Sequence, residues 1–99
     1  MATVMTWGNL SRFIQVMGWK CVVVYGSDHN TARSHAAVLR GALSNVSVGT
    51  GAVRVWKRKP MVDLVVVFDV PRDESLEVLK AQVKIYYPNA EWLEVRLTT

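Results

Sequence analysis

The chain has 99 residues, 51% of them apolar, with twelve Lys and Arg against eight Asp and Glu for a net charge of +4. This length makes one domain able to bury a core without staples, and the composition is too apolar for disorder. The roughly 18 consecutive apolar residues of a membrane-spanning helix occur nowhere. The basic balance permits contact with nucleic acid or an acidic protein surface without demanding either.

In chain order, residues 6–18 (TWGNLSRFIQVMG) read as a short amphipathic helix. Leu10, Phe13, Ile14 and Met17 fall at helical spacing on one side, with Arg12 and Gln15 opposite. Thr6 or Asn9 caps its start and Gly18 ends it. Residues 2–7 offer a short extra strand as the alternative. Met1–Ser11 lacks the basic head and continuous apolar block of a signal peptide, so the expected location is the cytoplasm of a cell or of a host cell.

Lys20–Tyr25 (KCVVVY) is the first strong strand, and Met61–Val70 (MVDLVVVFDV) is the longest. Three successive valines in each suggest strands covered on both faces, because a half-wet sheet would alternate apolar and polar residues. Cys21, the single cysteine, lies inside the first strand and reads as a small buried hydrophobe. After Gly26-Ser27-Asp28, a helix runs to about Ser44 with Ala32, Ala36, Leu39 and Leu43 as its apolar stripe. Val46–Lys57 is a weaker, more polar strand, and Arg58-Lys59-Pro60 makes a basic hairpin tip. Asp73 caps a second long helix, whose stripe is Leu76, Leu79, Val83 and Tyr86. Pro88-Asn89 ends it. Glu91–Leu97 is a last alternating strand, with Leu93, Val95 and Leu97 facing in and Trp92, Glu94 and Arg96 facing out.

The order β-α-β-β-α-β over residues 20–99, with residues 1–18 as a helical extension, matches the ferredoxin-like split βαβ arrangement. The expectation is one α+β domain with a four-stranded antiparallel sheet and two helices on one face. The apolar strands take the centre, and the strands bearing Arg54, Lys57, Glu94 and Arg96 take the edges. The architecture does not determine function.

Three candidate sites follow. The first is the turn Ser27-Asp28-His29-Asn30 with Arg33, where a helix N-terminus can receive a phosphate or carboxylate. The plain alternative is a helix cap, since caps prefer Ser, Asp and Asn and Asp28 would repel an anion. The second is the hairpin Arg54, Trp56, Lys57, Arg58, Lys59, able to grip a nucleic-acid backbone and joined in that role by Arg33 and Arg40. The third is the sheet face away from the two long helices, carrying Trp56 and Trp92 with Arg54 and Arg96, residue types enriched at binding hot spots.

His29 and His35 stand six residues apart on a helix and cannot share a metal, and no other donor completes a site. Asp63 and Asp69 are too far apart along one strand for a catalytic carboxylate pair. No nucleophile–base pair can be assembled from the spacings, so no enzyme and no cofactor are expected. The expected function is docking onto another protein or a second copy of the chain, as a small viral or mobile-element inhibitor of a host factor would act. Nucleic-acid binding is the alternative, and neither membrane nor metal is expected.

Overall fold

The computed structural model describes residues 3–50, 61–70 and 73–98. The elements are β1 (Thr3–Met5), α1 (Trp7–Met17), β2 (Cys21–Tyr25), α2 (His29–Ala42), β3 (Ser47–Thr50), β4 (Leu64–Phe68), α3 (Glu74–Tyr86) and β5 (Glu91–Leu97). The strands form one five-stranded sheet in the order β1-β5-β4-β2-β3. Every neighbouring pair is parallel.

This overturns the expected four-stranded antiparallel, ferredoxin-like sheet: the fold is α/β. The two valine-rich strands are adjacent and central as expected, with Val22 opposite Leu64 and Tyr25 opposite Val67, but they run the same way. The valines carry the physical reason. Val22–Val24 and Val65–Val67 are almost wholly removed from solvent, which requires cover on both faces, and parallel sheets are the ones covered on both.

The helices divide between the faces. Leu10 and Ile14 of α1 and Ala32, Ala36 and Leu39 of α2 pack with Val22, Val24, Leu64, Val66, Phe68 and Val95. Leu76, Leu79 and Val83 of α3 pack on the other face with Cys21, Val23, Val65 and Val67. The direction of winding accounts for this. From β1 to β2 and from β2 to β3 the chain crosses the sheet one way, and from β4 to β5 it crosses the other way. Crossovers of one hand then place α1 and α2 on one face and α3 on the opposite face.

Local chemistry fixes the helix ends. Thr6 Oγ1 accepts from the Asn9 N–H at 3.1 Å, Asp28 accepts from Thr31, and Asp73 accepts from Leu76, so each helix begins on a side-chain cap. Gly18 closes α1 in the left-handed region at φ +72°, and its N–H donates to the Gln15 carbonyl. Both readings of the N-terminal residues are realised, a short strand and then a helix. The predicted stripes are buried with three exceptions: Phe13, Met17 and Tyr86 are 37%, 50% and 42% exposed, and Ser11 is buried instead.

Candidate functional site

At the carboxyl end of the sheet, β2 and β4 lie side by side and lead into helices on opposite faces. The chain therefore diverges there and leaves a crevice, the place where open α/β sheets hold ligands. A cleft of about 190 Å³ sits at this point, lined by Tyr25, Gly26, Ser27, Val70, Asp73, Ser75 and Leu76. Gly26 is buried against the first turn of α2. A Cβ there would meet the Ala32 backbone nitrogen at 3.3 Å, so the small residue lets the turn lie close to the helix.

Carboxylates control the electrostatics. Asp28 Oδ1 accepts from the Thr31 N–H at 2.8 Å and Oδ2 from the Thr31 hydroxyl at 2.9 Å. The backbone donor of Thr31, followed by its hydroxyl, holds the Asp28 carboxyl below its ordinary value of 3.8. Asp73 Oδ1 accepts from the Leu76 N–H at 3.0 Å. Both helix N-termini that border the crevice thus already hold a carboxylate of the chain itself, in the position an external anion would take. Ser27, next to Asp28 in the chain, and Ser75, two residues past Asp73, line the cleft.

Just outside the crevice, on the α1–α2 side, an aromatic cluster closes the end of the core. His35 of α2 lies 5.4 Å from Trp7 and 4.7 Å from Phe68 between ring centroids. Trp7 and Phe68 are 5.3 Å apart. The Nδ1 of His35 is buried without a hydrogen-bond partner, as is the Oγ of Ser11. Burial pushes the His35 imidazole below its ordinary value of 6.5, and the negative charge of Asp69 opposes that shift. Asp69 follows β4 in the left-handed region at φ +51°, with its N–H donating to the Val95 carbonyl at 2.9 Å.

The sequence-predicted residues that are described fall on separate elements, α2 with the turn before it and β5. Ser27, Asp28, His29 and Asn30 do form the turn and first residues of α2, with Arg33 exposed on the same helix. Arg40 is also exposed, and its Nε donates to the Val48 carbonyl at 3.0 Å. Trp92 and Arg96 share one side of β5. The Trp92 ring packs at the margin of the α3 cluster, its Nε1 donates to Glu94 Oε2 at 3.0 Å, and the Lys80 ammonium stands 5.8 Å from the ring centroid. Among the described residues, α3 covers the centre of the sheet face that Trp92 borders, where an open face is expected from the sequence. Arg54, Trp56, Lys57, Arg58 and Lys59 lie outside the described residues. Among the described residues no group of His, Cys, Asp and Glu could hold a metal ion, and no helix is long and apolar enough to cross a membrane.

Val70, Ser75 and Tyr25 of the crevice were not singled out from the sequence. The available signal was that both central strands end in an aspartate-bearing turn, GSD and DVPRD, before a helix. In a parallel sheet these two turns meet. No family model, curated protein or solved structure matches the chain.

Proposed function

We propose that the chain is a binding domain that holds a small polar ligand in the crevice between β2 and β4. The observation that carries this reading is the coincidence of the cleft with the point where the winding reverses. The chemistry narrows the ligand. Asp28 and Asp73 occupy the two helix N-termini, so a phosphate meets like charge, whereas a hydroxyl- or amine-bearing molecule finds the Ser27 and Ser75 hydroxyls and a negative rim. Sugars, nucleosides and small amines are the fitting classes.

Melting the protein against a panel of these compounds, with nucleotides alongside, tests the reading. A ligand at about a hundred times its Kd stabilises by about 2.7 kcal/mol, a rise on the order of 10 °C for a chain of this size. Ser27→Phe fills the mouth of the cleft and is expected to abolish the rise. A flat panel, or a rise that survives Ser27→Phe, removes the proposal. A rise with nucleotides alone restores the anion reading of Ser27–Asn30.

A second reading, protein docking, is favoured by one observation at the β1 edge. The register sets Arg96 beside Val4, which is 61% exposed, on a flank that continues from Trp92. Docking there predicts that Val4→Asp with Arg96→Glu abolishes complex formation in affinity capture and leaves the melting temperature unchanged. Capture unaffected by the double change sinks that reading.

A further inference from the structure

The outward side of α1 carries an apolar stripe that the core does not use. Phe13, Val16 and Met17 are spaced i, i+3 and i+4, so they are neighbours on the helix surface. They are 37%, 75% and 50% exposed. Gly18 turns the chain back, and Trp19 meets Phe13 edge-on at 5.4 Å between centroids. Exposed Arg12 lies next to Phe13 and Val16, and exposed Lys20 follows Trp19.

The charge carried by the helices on this side of the sheet is of one sign. Neither α1 nor α2, which share a face of the sheet, contains an Asp or Glu, while α2 adds Arg33 and Arg40. Asp63 is the carboxylate bonded near this end of α1, and its Oδ2 accepts from the backbone N–H groups of Lys20 and Cys21. Cations beside exposed apolar side chains call for an anionic partner with an apolar layer. A second copy of α1 does not supply it, because the helix carries no carboxylate to answer Arg12. A nucleic-acid backbone gives Val16 and Met17 nothing to bury in.

We propose that α1 docks on an anionic lipid bilayer, lying in the headgroup plane with Phe13, Val16 and Met17 inserted and Arg12 and Lys20 at the lipid phosphates. The expectation of no membrane rests on the lack of a span. A helix lying on a surface needs only a stripe and cations.

Co-sedimentation of the full chain with vesicles of phosphatidylcholine mixed with phosphatidylserine, beside pure phosphatidylcholine, tests this. The expected result is pelleting with the anionic vesicles that weakens as salt is raised. Val16→Asp lowers the bound fraction by about tenfold or more, and Arg12→Gln by about fivefold. Val78→Asp on α3, 52% exposed on the opposite face, leaves binding unchanged. Unaltered melting temperatures for the three variants show that the fold is kept. The proposal is overturned by no pelleting with anionic vesicles at low salt, by equal pelleting with pure phosphatidylcholine, or by equal losses from Val78→Asp and Val16→Asp. A solution dimer that Val16→Asp converts to monomer also overturns it.

Discussion

The imidazole of His35 lies 4.7 Å from the ring of Phe68, tilted by 57°, with its Nδ1 buried and unpaired. Protonation would place a charge in that setting with no acceptor at Nδ1. Burial accordingly holds the folded-state pKa below the ordinary 6.5. The unfolded chain therefore binds the proton more readily than the folded one. Stability contributed by neutral His35 is complete above about pH 6.5 and is lost as pH falls from there through the lowered folded value. Urea midpoints taken from about pH 8 down to about pH 5 should fall on the acid side. His35→Phe should flatten that fall, and a fall of unchanged size in the variant would assign it to other groups.

Asp69 tunes the same residue from the end of β4. Its charge raises the His35 pKa against the effect of burial. Asp69→Asn keeps a side chain that tolerates the left-handed backbone at φ +51° and removes only the charge. The imidazole titration followed by NMR should move to lower pH. Asp69→Val, by contrast, puts a β-branched residue in that conformation and should cost about 1–2 kcal/mol in urea denaturation.

Much of the fold is readable because it depends on local chemistry. Asp28 and Asp73 cap helices through their own side chains, and Ala32, Ala36 and Leu39 announce their face by spacing. Strand direction is not local. A β-α-β-β-α-β order suits a hairpin between Val46–Lys57 and Met61–Val70 as readily as a crossover, and Arg58-Lys59-Pro60 reads as a hairpin tip. A hairpin at that point makes the sheet antiparallel, whereas a crossover makes it parallel. The valines of β2 and β4 carried the contrary signal, since burial on both faces has no place in a sheet with one open side. The crevice was half legible for the same reason. Ser27 and Asp28 stand out as a polar turn after a central strand, but Val70 and Ser75 join them only when β4 runs parallel to β2.

At the amino end of the sheet, Asp63 ties three strand starts together. Its Oδ2 accepts from the N–H groups of Lys20 at 2.7 Å and Cys21 at 3.0 Å. Its own N–H donates to the Cys21 carbonyl, and its carbonyl accepts from the Glu91 N–H, each at 2.9 Å. Asp63→Ala leaves the backbone bonds in place and deletes both carboxylate bonds. The expected loss is about 2–3 kcal/mol. Asp63→Asn retains an acceptor oxygen and should lose about 1 kcal/mol. Equal losses for the two, by urea denaturation, would show that the carboxylate oxygen is not what holds the strands.

Among the described residues Phe68 is the largest fully buried side chain, and it helps join α1 to the sheet end through its contact with Trp7 at 5.3 Å. Phe68→Ala removes most of that side chain from a site walled by Trp7 and His35. The cost is expected at about 3–5 kcal/mol, a large share of the 5–15 kcal/mol that domains typically hold. Phe68→Leu fills most of the same volume and should cost about 1–2 kcal/mol. The loss should also be local before it is global, because α1 rests on this end of the core through Trp7, Leu10 and Ile14. Amide exchange in residues 7–17 of Phe68→Leu should quicken ahead of exchange in β2 and β4. Uniform quickening across the chain would mean that α1 and the sheet open as one unit.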